Sequence, residues 1–198
     1  GKTRVWAASG VCPPGVGETA WRPAGLTLLG TPTAGGAEVA VGTDAHVAAF
    51  LERSLASLRV RLRRILEVTL HGRASYSRVQ SGFVLLRTHG LPRVLHLLRA
   101  LPPAATRAYA AAADAALEDL ANTLLATGPP SPPQKNQRAL PARLGGMGLP
   151  SGVWLASAAW VASWAGALPA VRGLVGPEDA SAARIRVGQE EWATELRA

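Results

Sequence analysis

The sequence has very few of the residues that build disulfides and metal centres. Its 198 residues include one cysteine, Cys12, so neither an internal disulfide nor a cysteine-based zinc cluster can form. A chain of this kind suits a reducing compartment, and we predict the nucleus or the cytoplasm. The four histidines lack the spacing that would place two imidazoles on one helix face. We therefore predict no metal site and no cofactor in this chain.

Paired carboxylates are also absent. Nucleotidyl transfer needs carboxylates that hold two divalent ions, but the aspartates are widely separated and include no Asp-Asp pair: Asp44, Asp114, Asp119 and Asp179. The sequence has no Gly-X-Ser-X-Gly nucleophile elbow and no phosphate-binding loop that ends in Gly-Lys-Ser/Thr. We predict that this chain alone is catalytically inactive.

Basic residues are abundant, and nearly all of them are arginine. The net charge is +8, and Lys2 and Lys135 are the only lysines. Arginine favours bidentate contacts with phosphate and keeps its charge at any working pH, so the composition indicates a polyanionic partner such as nucleic acid or, as a weaker alternative, an anionic membrane surface. A GC-rich genome would produce the same excess of Arg, Ala, Gly and Pro through codon usage.

Apolar residues make up 48% of the chain, which is enough for a substantial core. Residues 1–43 are rich in Gly and Pro, and the pattern predicts short strands at 4–8, 26–29 and 39–41. Helical spacing then dominates. We expect helices from Asp44 to about Leu70, from Ser75 or Ser77 onward, after a break at Gly90-Leu91-Pro92, and from Pro102-Pro103 to Leu125.

The helix after Asp44 has two chemically distinct faces. On a 3.6-residue wheel seven apolar residues share one arc: Val47, Leu51, Leu55, Leu58, Leu62, Ile65 and Leu66. Five arginines occupy the remainder: Arg53, Arg59, Arg61, Arg63 and Arg64. The arginine face is equally typical of a surface that contacts phosphates and of one that is simply solvated.

Gly128-Pro129-Pro130-Ser131-Pro132-Pro133 is predicted to be a linker that is neither helix nor central strand. Beyond it we expect a turn-rich loop and a helix capped by Ser151, with Trp160 and Trp164 on one face. No charged residue lies between Arg143 and Arg172. Glycines and prolines interrupt this window and its centre is mostly Ala and Ser, so we predict a helix buried in protein rather than a membrane span.

Five segments, in this order, resemble the C-terminal half of reverse transcriptases of non-LTR, LINE-like retroelements. They are Lys2-Thr3, Leu29-Gly30 with the following Thr31-Pro32, the helices from Asp44 to Gly128, the stretch Leu140-Pro141-Ala142-Arg143-Leu144-Gly145-Gly146-Met147-Gly148-Leu149, and Ala162–Pro169. The resemblance implies that Lys2 assists the leaving pyrophosphate and that Leu29 and Gly30 belong to the primer grip. It also implies that the helices form a thumb. The Mg²⁺ of the parent enzyme would be held by aspartates that this chain lacks.

The resemblance and the helical wheel together give one hypothesis. We expect a mostly α chain with a palm-edge β remnant at 1–43, a thumb-like helical bundle at 44–128, and a proline-rich linker and C-terminal helical unit at 129–198. The chain would be a fragment of an RNA-directed DNA polymerase. With an upstream polymerase half it would bind template–primer nucleic acid, and Arg53, Arg61 and Arg64 would contact the backbone. The alternatives are a stand-alone helical nucleic-acid-binding protein, a decayed retroelement remnant, and a membrane-associated helical protein built around residues 151–171.

Overall fold

The computed structural model describes residue 5 and residues 11–18, 20–21, 26–28, 31–33, 45–71 and 77–174. These residues are mostly helical, which confirms the predicted fold class with its small β element near the N-terminus. The strands are β1 (Leu26–Leu28) and β2 (Thr31–Thr33). The helices are α1 (Ala45–His71), α2 (Ser77–Leu85), α3 (Leu91–Ala100), α4 (Pro103–Leu125), α5 (Pro132–Ala139) and α6 (Gly152–Leu174).

The β element is a two-stranded antiparallel pair. Leu26 lies opposite Thr33, and Leu28 lies opposite Thr31, so the strand predicted at 26–29 is present. Of the strand predicted at 4–8 the structure describes Val5, which forms a parallel bridge with Trp21. The strand predicted at 39–41 lies outside the described residues.

Helix α1 packs its apolar face into the core as the wheel predicts. Val47, Leu51, Leu58, Leu62 and Ile65 are buried, and Leu55 and Leu66 pack against them half-buried. The helix starts and ends within a residue of the predicted bounds. Burial of this face is the main stabilising term, since helices in proteins gain most of their stability from packing an amphipathic face rather than from propensity.

The predicted break at Gly90-Leu91-Pro92 is wrong. A π-helical turn, Leu86–Gly90, joins α2 directly to α3, and the Leu91 N–H donates to the Leu86 carbonyl. A Cβ on Gly90 would lie 3.2 Å from Leu117 Cδ2, so glycine is used here for close packing against α4. Pro92 lies in the first turn of α3, where its missing N–H is tolerated.

Helix α4 lies at the centre of the bundle. Ala110, Ala113 and Ala121 are almost completely buried, and small side chains let neighbouring helices approach closely. The most extensive helix contacts are those of α4 with α1 and α6 and of α3 with α6. Alanine also has the highest intrinsic helix propensity, so the alanines that allow close packing also favour the formation of α4.

The proline-rich run is partly helical, which corrects the prediction of an entirely non-helical linker. Ser131 is the N-cap of α5, and its N–H donates to Gln134 Oε1 at 2.8 Å. Pro132 and Pro133 occupy the first helical turn, where a missing N–H costs nothing. Helix α6 packs on α3 and α4, and Ala156 is buried in their core. The proposed domain boundary at 128/129 stays a prediction.

The glycines between α5 and α6 shape a tight loop around the 3-10 turn Ala142–Leu144. A Cβ on Gly146 would collide with the Leu140 carbonyl group, and Gly148, at φ 63°, donates its N–H to the Leu140 oxygen at 2.8 Å. Gln137 Nε2 donates to the Gly145 carbonyl at 2.9 Å. This loop therefore fixes the end of α5 against the start of α6.

Candidate nucleic-acid interface

The arginines of α1 form an exposed basic face on the side of the helix away from the core. Arg53, Arg59, Arg61, Arg63 and Arg64 are all exposed, while the residues that alternate with them at helical spacing are buried. The helix is about 40 Å long at 1.5 Å per residue. We call these five residues the α1 arginine face.

The three arginines selected from the sequence occupy one side of that face. Arg53 and Arg64 are three helical turns apart, which corresponds to a rise of about 16 Å, and Arg61 lies one turn before Arg64. Arg59 and Arg63, which the sequence analysis did not select, are four residues apart and extend the face around the helix. Val60, 49% exposed, lies between the two groups.

Positive side chains outnumber negative ones on this helix. Helix α1 contains two acidic residues, Glu52 and Glu67, both exposed. Glu67 follows Arg63 by four residues and Arg64 by three, and these are the spacings at which side chains on a helix are neighbours. Five arginines against two glutamates leave the exposed side of α1 with a net positive charge, which favours a polyanion.

The other predicted site residues cannot be placed. Lys2, Leu29 and Gly30 lie outside the described residues, although Leu29 and Gly30 fall between β1 and β2 in the sequence. Their assigned roles in leaving-group assistance and primer positioning stay predictions. The structure brings together only the arginine part of the predicted site.

Asp114 has a structural role that the sequence analysis missed. Its carboxylate accepts three hydrogen bonds at the start of α6, from Ser151 Oγ at 2.6 Å, Gly152 N at 2.7 Å and Val153 N at 3.2 Å. Ser151 in turn accepts a long hydrogen bond from Trp154 N at 3.4 Å, in agreement with its predicted capping role. The carboxylate therefore stabilises the positive end of the α6 dipole across a helix contact.

The described carboxylates do not fit the two divalent ions of nucleotidyl transfer. Asp114 is engaged by three donors and Asp119 is exposed on α4. The part of the chain that the structure describes contains no group of three residues able to hold a metal ion. Among the described helices, none is long and apolar enough to cross a membrane.

A second feature missed by sequence reasoning is a cavity of about 270 Å³ where α4, α5 and the start of α6 meet. Leu91, Leu117 and Leu149 contribute apolar surface, and the charged residues of the lining are Asp114, Glu118, Lys135 and Arg138. Trp154, 68% exposed, also lines it. The sequence pointed to this cavity only through Trp154, because the helical spacing places Trp154 off the face that Trp160 and Trp164 share.

Comparisons of the chain with protein-family models, with curated proteins and with solved structures found no match. The function is therefore argued from the surface chemistry of the chain itself. Of the surfaces described, the α1 arginine face combines the largest set of exposed charges of one sign with the predicted contact residues Arg53, Arg61 and Arg64.

Proposed function

We propose that this chain binds nucleic acid through the α1 arginine face, as the thumb-like part of an RNA-directed DNA polymerase that acts on a template–primer. The observation that carries the proposal is the set of five exposed arginines on one helix, which outnumber its two glutamates. The net charge of +8 supports it, because a cationic chain concentrates near polyanions before any specific contact forms.

The chemistry of the face favours phosphate as its ligand. Arginine guanidinium groups present several N–H donors in a plane that matches two phosphate oxygens. Arg53 and Arg64 would contact phosphates about 16 Å apart along a duplex or a single strand. Such contacts position a nucleic acid without reading its sequence, which is what a thumb requires when it holds a template–primer of any sequence.

A membrane surface fits the same helix less well. An interfacial helix inserts its apolar face into the lipid boundary, but the apolar face of α1 is the buried one, including Leu58 at 1% exposure and Leu62 at 4%. The outward face offers isolated apolar residues such as Val60 and Val68 among arginines. Charge attraction alone would then have to hold α1 on lipid.

The link to reverse transcription rests on the order of motifs in the sequence. Lys2-Thr3, Leu29-Gly30 and the helical region follow one another as in LINE-like reverse transcriptases, and the polymerase chemistry would belong to aspartates that are not in this sequence. The described carboxylates supply no step of nucleotidyl transfer. The proposed contribution of this chain is to grip the nucleic acid on which a catalytic partner acts.

The test compares two triple variants with equal charge loss. The first, Arg53→Gln, Arg61→Gln and Arg64→Gln, removes three of the five arginines of the α1 face. The control set changes three exposed arginines elsewhere to glutamine: Arg99, Arg107 and Arg143. Binding to a labelled duplex is measured by fluorescence anisotropy at about 0.1 M salt, where three lost phosphate contacts correspond to about a 100-fold or greater loss of affinity.

The control variant is expected to lose less than a tenth as much affinity as the α1 variant. Equal losses in the two variants would contradict the proposal, because binding would then depend on total charge rather than on α1. Circular dichroism and urea unfolding of both variants check that the exposed substitutions leave the fold intact.

A further inference from the structure

The cavity between α4, α5 and α6 combines features of a binding site for a flat ring. Its volume of about 270 Å³ exceeds the ~150 Å³ of an apolar cavity that admits benzene, so a larger ring system has room. Leu91, Leu117 and Leu149 supply apolar surface on one side. The charged residues of the lining are Asp114 and Glu118 of α4 and Lys135 and Arg138 of α5.

Trp154 is the most unusual residue of this lining. Its side chain is 68% exposed, whereas Trp160 on the same helix is 7% exposed and contributes to packing. A large indole left in water forgoes the stabilisation that burial would give. An exposed aromatic ring beside a cavity is also the feature on which unpaired bases stack, since every base has a π face.

Two carboxylates and two cations line the cavity, and one of the carboxylates, Asp114, is engaged by the start of α6. Arg138 donates to neutral partners, Asn122 Oδ1 at 2.6 Å and Thr127 Oγ1 at 3.3 Å, so no described carboxylate cancels its charge. Lys135 is 53% exposed beside Glu118 at 3.0 Å. The two cations suit a phosphate, while a Glu118 oxygen can accept from the amino group of a base.

We propose that this cavity holds one unpaired base of a single-stranded nucleic acid, stacked on Trp154, with its phosphate directed toward Lys135 and Arg138. The inference rests on the proposed function, because the ligand in both is a nucleic acid. A cavity that binds a base would make the chain prefer single strands to duplexes, a preference that contacts between arginine and phosphate alone do not give. A duplex keeps its bases stacked and paired, whereas a single strand can insert one into the cavity.

The experiment measures binding of the full chain to a labelled single strand and to the blunt duplex of the same length. Trp154→Ala removes the ring, and Trp154→Phe retains an aromatic face. Val153→Ala is the matched control, since Val153 is 44% exposed on the same turn of α6 and does not line the cavity. All three changes are at exposed positions, and a urea unfolding curve checks each fold.

Trp154→Ala is expected to weaken single-strand binding by about 5- to 150-fold, the range for loss of one base–aromatic stack, and to leave duplex binding unchanged. Trp154→Phe should retain most of the affinity, and Val153→Ala all of it. An unchanged single-strand affinity in Trp154→Ala, with duplex binding still dependent on Arg53, Arg61 and Arg64, would overturn this inference and leave the proposed function standing. Absence of binding to either nucleic acid would overturn both.

Discussion

Replacement of Asp114 by alanine should destabilise the bundle strongly, because one carboxylate holds the start of α6. The change removes acceptors for three donors at 2.6, 2.7 and 3.2 Å. Gly152 is buried, so water cannot replace the partner of its N–H, and an unsatisfied buried donor costs about 1–3 kcal/mol. Loss of the negative charge at the helix N-terminus adds about 0.5–1 kcal/mol. The Ser151 hydroxyl and the N–H of exposed Val153 can donate to water instead, at a small cost in free energy.

The expected loss is therefore about 2–4 kcal/mol in the free energy of unfolding. For a chain of this size that corresponds to a decrease in Tm of about 5–15 °C. Urea unfolding followed by circular dichroism measures it. Asp119→Ala is the control, since Asp119 is exposed on the same helix and should change the free energy by less than about 0.5 kcal/mol. If Asp114→Ala were no more destabilising than Asp119→Ala, the capping argument would be refuted.

Two further predictions concern the loop before α6 and the core. Gly146→Ala forces a methyl group into the Leu140 carbonyl and should lower the free energy of unfolding by about 3 kcal/mol, the upper part of the range for overpacking. Gly128→Ala is the control, because a Cβ there meets nothing within 4 Å. It should be neutral or slightly stabilising in the same urea assay. Burial raises the pKa of Tyr109 to about 12 against a partial lowering by Arg93, so the contribution of Tyr109 to the free energy of unfolding should be constant below pH 10 and fall by about 2–3 kcal/mol as the pH rises to 12. Tyr109→Phe should abolish that fall, and a fall of equal size in the variant would contradict the assignment.

Local periodicity predicted the helices whose faces are chemically distinct. The apolar arc of α1 was readable because its residues repeat at 3.6 spacing between arginines, and the proline start and alanine-rich body predicted α4. The exposed position of Arg53, Arg61 and Arg64 followed from the same wheel. These features depend on near neighbours in the chain, which is why sequence reasoning reached them.

The errors occurred where distant residues decide local structure. In the sequence, Gly90 is typical of a helix break. In the structure it packs closely against Leu117, and the packing that glycine permits offsets its low helix propensity. Asp114 reads as an ordinary surface carboxylate of α4, because its partners in α6 lie more than thirty residues away. The cavity beside Trp154 requires the mutual placement of α4, α5 and α6, which no local pattern encodes.

The central claim is that the α1 arginine face grips phosphates, and the salt dependence of binding tests it most directly. The affinity of the chain for a short duplex is measured across a series of salt concentrations. If about four of the five arginines contact phosphates, log affinity should fall against log salt with a slope between about −3 and −4, and the variant without Arg53, Arg61 and Arg64 should have a slope near −1. A slope near zero for the unmodified chain would contradict the account.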